Sequence, residues 1–195
     1  MFITVYGINN VGKSTHCKKL AERLQQEGHQ AVHIKYPIYD IEPSGPFLDK
    51  MLRSEVQVIS EYELQMWFAV NRHQFQQSLK SYLDKGIIVV AEDYIGTALA
   101  WGTAKGLDTK WLKHINEHLL HEDVSILING ERATHAIEEG HIHENNDDLV
   151  TEVRKNLLAL AQKQKWHKIE LQPTKAATHE LIWRYVSKKL AKSQE

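Results

Sequence analysis

Apolar positions in this chain follow two alternating spacings. Short runs rich in β-branched and aromatic residues predict five strands: Phe2 to Tyr6, Ala31 to Tyr36, Ile87 to Ala91, Val124 to Ile128 and His167 to Leu171. The run Ile87 to Ala91 is apolar throughout, the pattern of a strand covered on both faces. Between these runs the spacing becomes helical. It predicts helices over 13–28, ending near Gly28, over Phe47 to Leu52, and over Glu61 to Leu83 with Leu64, Trp67, Phe68, Phe75, Leu79 and Leu83 as its apolar positions. Further helices are predicted up to about Lys105, over 110–121, as a short helix from Arg132, through the stripe Leu149, Val150, Val153, Leu157, Leu160 and Ala161, and over Thr178 to Leu190. Five strands alternating with helices imply a three-layer α/β fold: one parallel sheet, helices on both faces, right-handed crossovers. The segment Pro37 to Pro46, with Pro37, Pro43, Ser44, Gly45 and Pro46, reads as a loop. Ligand crevices of such sheets lie at the carboxyl ends of the strands, where Gly7 to Ser14, Pro37 to Tyr39 and Glu92 to Tyr94 converge.

One stretch at the first of these ends carries recognisable chemistry. Gly7-Ile8-Asn9-Asn10-Val11-Gly12-Lys13-Ser14-Thr15 follows a strand and opens a helix, the context in which a glycine loop cradles phosphate. The two glycines let successive backbone N–H groups face inward, and the helix adds the positive end of its dipole. Lys13 can then reach the β- and γ-phosphates of a nucleoside triphosphate, and the Ser14 hydroxyl can ligate magnesium.

Composition narrows the possibilities. A chain of 195 residues, 42% hydrophobic, suffices for one sizeable core and is short for two, so a single domain is expected. Lys plus Arg number 24 and Asp plus Glu 25, a balance that argues against a nucleic-acid or anionic-membrane surface. The lone Cys17 excludes an internal disulfide and reads as a packed residue of a reducing cytoplasm. No apolar run approaches the roughly 20 residues of a membrane span.

Several segments together resemble the thymidylate kinase family of phosphate-loop nucleoside monophosphate kinases, in the family's order and over nearly the whole chain. The phosphate loop matches through Lys13, Ser14 and Thr15, and Tyr36-Pro37 resembles the family's Phe-Pro after the second strand. Phe68-Ala69-Val70-Asn71-Arg72 is similar to its nucleobase segment, and Tyr94, Thr97, Ala100 and Trp101 to the helix after its Asp-Arg-Tyr. The resemblance implies ATP and magnesium on Gly7 to Thr15, with Ser14 and Glu92 serving the metal. It implies a pyrimidine deoxynucleoside monophosphate stacked on Phe68, hydrogen-bonded by Arg72 and touched by Asn9, Tyr39, Tyr94 and Thr97, with Trp101 crowding the sugar's 2′ position. Phe68 and Arg72, four apart on one helix, share a face, as those roles require. The partners implied are small nucleotides, with neither nucleic acid nor membrane, and a homodimer is compatible with the family.

The sequence departs from the family at charged positions. Where the family has Asp-Arg after the third strand, this chain has Glu92 and Asp93, so an anion replaces a phosphate-binding cation. Glu92 and Asp93 remain, with Lys13, the candidate catalytic residues. The arginine after Phe-Pro is Ile38, with Tyr39 left to make a phosphate contact, and the phosphate-loop aspartate is Asn9. A mobile lid is expected over 138–148, yet that stretch holds Glu138, Glu139, Glu144, Asp147 and Asp148 and no Lys or Arg. Replacement cations would come from Lys35, Arg53, Arg132 or Arg154. These departures keep two rivals open: a deoxynucleoside kinase, whose neutral acceptor needs a carboxylate base and no phosphate arginine, and a nucleotide-binding module with little turnover.

Histidines are the remaining candidates. His114, His118 and His121 share a face of the helix predicted over 110–121, but without Cys or Asp partners they read as solvated, not as zinc ligands. His141 and His143 in the lid can donate to phosphate once protonated. Phosphoryl transfer is then expected to rise below about pH 6.5, the ordinary histidine pKa, and a flat rate profile there would rule the lid histidines out.

Overall fold

The computed structural model describes residues 1–54, 58–131 and 147–193. Five strands form one sheet: β1 (Phe2–Tyr6), β2 (Ala31–Lys35), β3 (Ile88–Glu92), β4 (Val124–Asn129) and β5 (His167–Glu170). All pairings are parallel, in the order β2-β3-β1-β4-β5. The apolar spacing of β1 and β3 becomes complete burial: every residue of both strands is buried. Chain direction across the sheet switches at β1, which lies between β3 and β4, and this opens a crevice beyond the carboxyl ends of β1 and β3.

Seven helices are described: α1 (Lys13–Gln26), α2 (Ser44–Arg53), α3 (Glu61–Asp84), α4 (Ile95–Ala104), α5 (Thr109–His114), α6 (Asp147–Gln164) and α7 (Lys175–Ser193). Helix α1 packs on β2, β3 and α7, while α4 packs on α3, α5 and α6. The core threads between, from Phe2, Ile3 and Val5 through Leu20 and Leu24 to Ile126, Leu157, Ile182 and Val186. Helix α3 starts where Ser60 caps it, its hydroxyl accepting from the Glu63 N–H at 3.1 Å, with Glu61 and Glu63 in the first turn. No helix among the described residues is long and apolar enough to cross a membrane.

Two expectations need correction. Helix α2 begins at Ser44, three residues before Phe47, because Pro46 falls in the first turn, where the missing N–H would have no intrahelical partner anyway. The helix expected over 110–121 ends at His114, and the chain continues in turns bonded three residues back, Asn116 to Lys113 and Leu119 to Asn116. The Asn116 side chain bonds the Leu112 carbonyl at 2.7 Å and so competes with the helix for that acceptor. His118 and His121 are therefore not on one helical face with His114. Arg132, His141, His143 and the lid up to residue 146 lie outside the described residues, while Asp147 and Asp148 open α6.

His16 of α1 and His179 of α7 stack with ring centroids 6.2 Å apart and planes 7° apart. His16 is pushed down to about 4 by burial first, then by His179, Lys19 and Lys175. Its folded pKa lies below the unfolded value of 6.5, so the unfolded chain binds the proton first and stability falls as pH drops from 6.5 towards 4. Thermal unfolding between pH 7 and 4.5 should show Tm falling with pH, and less steeply for His16→Gln; an unchanged slope would exclude His16 as the responsible group.

Candidate active site

The glycine loop is shaped by two left-handed residues, Asn10 (φ 62°) and Gly12 (φ 96°), the latter capping α1. Gly7 allows close approach: a Cβ there would lie 2.7 Å from Val11 Cγ1 and 3.0 Å from the Ile128 carbonyl oxygen. Lys13 is buried, and its Nζ donates to the carbonyls of Gly7 (3.1 Å) and Ile8 (3.0 Å). The ammonium thus lies across the mouth of its own loop, within reach of any anion the loop N–H groups bind.

Beside it, Ser14 Oγ donates to Glu92 Oε1 at 2.8 Å. Lys35 Nζ is 3.7 Å from Glu92 Oε1, and His33 Nε2 is 3.9 Å from Glu92 Oε2. Burial lowers the His33 pKa, so that ring is neutral at pH 7 and balances no carboxylate charge. Glu92 Oε2 is buried without a hydrogen-bond partner. A hydroxyl and a carboxylate with an uncommitted oxygen form the hard-oxygen donor set that suits magnesium. Among the described residues no cluster of three His, Cys, Asp or Glu side chains could hold a metal by itself, so the ion would need water and phosphate oxygens as well.

Asp93 has φ 61°, a conformation costly for most side chains. Thr97 Oγ1 donates to its Oδ1 at 2.6 Å, and Lys13 Nζ stands 3.7 Å from its Oδ2. Burial raises the Asp93 pKa, Lys13 opposes that, and Glu92 adds to it. The anion that replaces an expected arginine is therefore set against the phosphate-loop lysine.

A cavity of about 600 Å³ joins the loop to α3 and α4. Asn9, Asn10, Gly12, Lys13, Ser14 and Thr15 line one end; Tyr39, Phe68, Arg72, Glu92, Asp93, Tyr94, Thr97 and Trp101 line the rest. Every residue expected to touch the acceptor nucleotide is thus brought to one space. Gly7, Ile8 and Val11 do not line it; Ile8 and Val11 are core residues beneath the loop.

Arg72 is buried, with NH1 donating to Asn116 Oδ1 at 2.9 Å. Burial lowers its pKa to about 10, which leaves it charged at neutral pH. The hydroxyls of Tyr36 and Tyr94 are buried without partners, and burial raises both pKa values. Arg72 thus gives this end of the cavity a buried cation, a donor suited to a ligand that presents carbonyl oxygens.

Sequence reasoning passed over several residues. Asn71 accepts from the Ile38 N–H (2.8 Å) and donates to the Ile38 carbonyl (2.8 Å) and Ser44 Oγ (2.9 Å), stapling the loop that carries Tyr39 to α3. An asparagine on the buried side of a long helix was the available signal. Lys105 and Lys175 also line the cavity, beside the expected Lys35 and Arg53, whereas Arg154 bonds Asn129 Oδ1 at 2.9 Å and does not line it. Nothing in the local pattern pointed to Lys105 or Lys175; only the packing of α4 and α7 brings them there.

A phosphate cradle joined by one cavity to an aromatic and arginine compartment is the architecture of a phosphate-loop nucleotide kinase. The thymidylate kinase family model matches residues 5–182, and the chain belongs to that family of ATP-dependent nucleoside monophosphate kinases. It is 28% identical over 187 residues to the thymidylate kinase of Desulfovibrio desulfuricans, covering 84% of this chain and 83% of the relative. It is 28% identical over 127 residues to that of Schizosaccharomyces pombe, covering 65% and 60%. The solved thymidylate kinase of Candida albicans superposes with a TM-score of 0.74 at 17% identity, over 96% of this chain and 91% of that one, which establishes the shared fold.

Asn71→Ala removes three hydrogen bonds and leaves the Ile38 backbone groups unpaired, at a cost of about 1–3 kcal/mol. The variant should melt several degrees lower and show a raised KM for the acceptor with ATP binding little changed; an unaltered acceptor KM would mean the staple does not position Tyr39.

Proposed function

We propose that this chain transfers the γ-phosphoryl group of ATP to deoxythymidine monophosphate, yielding the diphosphate and ADP. One observation carries the reading: a single continuous cavity is lined both by the phosphate loop and by Phe68, Arg72 and Trp101. ATP would place its phosphates on the loop N–H groups from Asn9 to Thr15, with Lys13 swinging from the Gly7 and Ile8 carbonyls to the β- and γ-oxygens. Ser14 and Glu92 would hold magnesium, which would supply positive charge against the phosphate oxygens. The thymine would stack on Phe68, with Arg72 donating to a base carbonyl, Trp101 closing the 2′ side of the sugar, and Asn9, Tyr39, Tyr94 and Thr97 bordering the sugar and phosphate.

In the reaction an oxygen of the acceptor phosphate attacks the γ-phosphorus in line, and the bond from that phosphorus to the β–γ bridging oxygen breaks. No protein nucleophile is needed, since alignment and charge neutralisation supply the acceleration. With Asp93 opposite Lys13, the further cations lining the cavity beside Lys13 and Arg72 are Lys35, Arg53, Lys105 and Lys175, and these would offset the gathered phosphate charge. A cytoplasmic location is the natural setting, supported by the single, buried Cys17.

A second reading is favoured by one observation. Asp93, held by Thr97 and set beside Glu92, gives the acceptor region carboxylates where a charged acceptor would favour cations. That arrangement suits a neutral nucleoside hydroxyl, with a carboxylate as the base.

Product analysis with ATP, magnesium and either deoxythymidine or its monophosphate separates the two. Diphosphate should form from the monophosphate at a much higher kcat/KM than monophosphate forms from the nucleoside; the reverse ratio would establish the nucleoside kinase, and no product from either would leave a binding module. Lys13→Ala should lower kcat by at least about 10²-fold, and an unaffected rate would contradict its role.

A further inference from the structure

Two lysines meet two neighbouring carboxylates at the carboxyl ends of the strands. Lys13 Nζ is 3.7 Å from Asp93 Oδ2, and Lys35 Nζ is 3.7 Å from Glu92 Oε1, the oxygen that also accepts from Ser14 Oγ. Lys35 is the last residue of β2, and the parallel register sets its Cα opposite that of Glu92 at the end of β3. Residues opposed in this way leave the sheet on the same face. Burial raises the Asp93 pKa, and the charges of Lys13 and Lys35 both oppose that rise, so Lys35 acts on both carboxylates.

The other cations lining the cavity are engaged with different partners. Arg72 NH1 donates to Asn116 Oδ1 at 2.9 Å, Arg53 Nε to Asp49 Oδ1 one turn back on α2 at 2.7 Å, and Lys105 Nζ to Glu61 Oε1 at 2.6 Å. Lys175 opens α7, where its charge acts on His16 of α1. Lys35, by contrast, lines the cavity beside the carboxylate that holds Ser14, with its side chain 44% exposed. Its flexible four-carbon stem lets the ammonium change partner within that space.

We propose that Lys35 is a catalytic residue of the phosphoryl transfer: its ammonium leaves Glu92 and donates to a non-bridging oxygen of the γ-phosphoryl group as that group passes to the acceptor. The inference rests on the kinase reading given above. It accounts for Asp93 at the place where the resemblance implies an arginine, because the cation then comes from the neighbouring strand, opposite residue 92. No proton moves and no bond to the lysine forms; the ammonium supplies charge and one hydrogen bond. Lys13 serves the triphosphate as it binds, whereas Lys35 engages the oxygens of the group in flight. An interaction made in the transition state alone raises kcat and leaves ground-state binding unchanged.

The test compares the wild type with Lys35→Met, which nearly keeps the length of the side chain and removes its charge, and with Lys35→Arg, which restores the charge. Rates are measured with ATP, magnesium and whichever of deoxythymidine and its monophosphate is the better acceptor. Calorimetry follows binding of a non-hydrolysable ATP analogue and, with the acceptor present, of ADP with aluminium fluoride, a mimic of the phosphoryl group in flight. Lys35→Met should lower kcat by about 10²-fold and weaken the aluminium fluoride complex in step, with both KM values and the analogue affinity changed by less than about threefold. Lys35→Arg should regain at least about tenfold in kcat over Lys35→Met. A Lys35→Met kcat within about threefold of the wild type, an equal weakening of the ATP analogue, or a loss that arginine does not restore would overturn the role of Lys35 and leave the kinase reading standing. A wild type that transfers phosphate to neither acceptor overturns both.

Discussion

The position of one buried ammonium governs this molecule. Lys13 can lie across the phosphate loop only because Gly12 takes a left-handed conformation at the start of α1 and Gly7 lets the loop close on β4. The loop carbonyls of Gly7 and Ile8 hold the lysine on one side, and Asp93 faces it on the other. Charge is thus balanced before any phosphate arrives. An incoming triphosphate would exchange those contacts for charge-assisted ones to its own oxygens, so a loop of this shape is folded without ligand and open to one.

The same balance accounts for the unusual charges around it. Read alone, an aspartate in place of an arginine looks like a defect in a phosphate-handling site. In the fold it is a counterion, fixed by Thr97 and held near the lysine by a backbone turn that few non-glycine residues adopt. Glu92 is likewise embraced by Ser14 and approached by Lys35. Other cations reach the cavity from α2, from the end of α4 and from α7, through Arg53, Lys105 and Lys175.

How much of this was legible in the sequence follows from the range of each interaction. The five strands and the phosphate loop were plain, because burial on both faces writes an apolar run and a phosphate cradle writes glycines at fixed spacing. Phe68 and Arg72 were legible because a helix face is a local property. Two boundaries were misread where a side chain competes with local propensity: Pro46 enters the first turn of α2, and Asn116 takes the carbonyl that would have prolonged α5. The staple from Asn71 to Ile38 and Ser44, and the arrival of Lys105 and Lys175 at the cavity, depend on partners distant in sequence and leave no periodic mark. The pairing of Asp93 with Lys13 belongs to this group as well, since strand register and a single φ value create it.

The proposed reaction requires two nucleotides to share one space, phosphate to phosphate. The most direct measurement is calorimetric titration with a bisubstrate compound in which adenosine and deoxythymidine are joined through a pentaphosphate bridge, followed by displacement with each parent nucleotide. One molecule should bind per chain, more tightly than either parent because the second half engages at high effective concentration, and it should be displaced by both ATP and dTMP. A compound displaced by only one of them, or bound no better than ATP alone, would contradict the shared cavity.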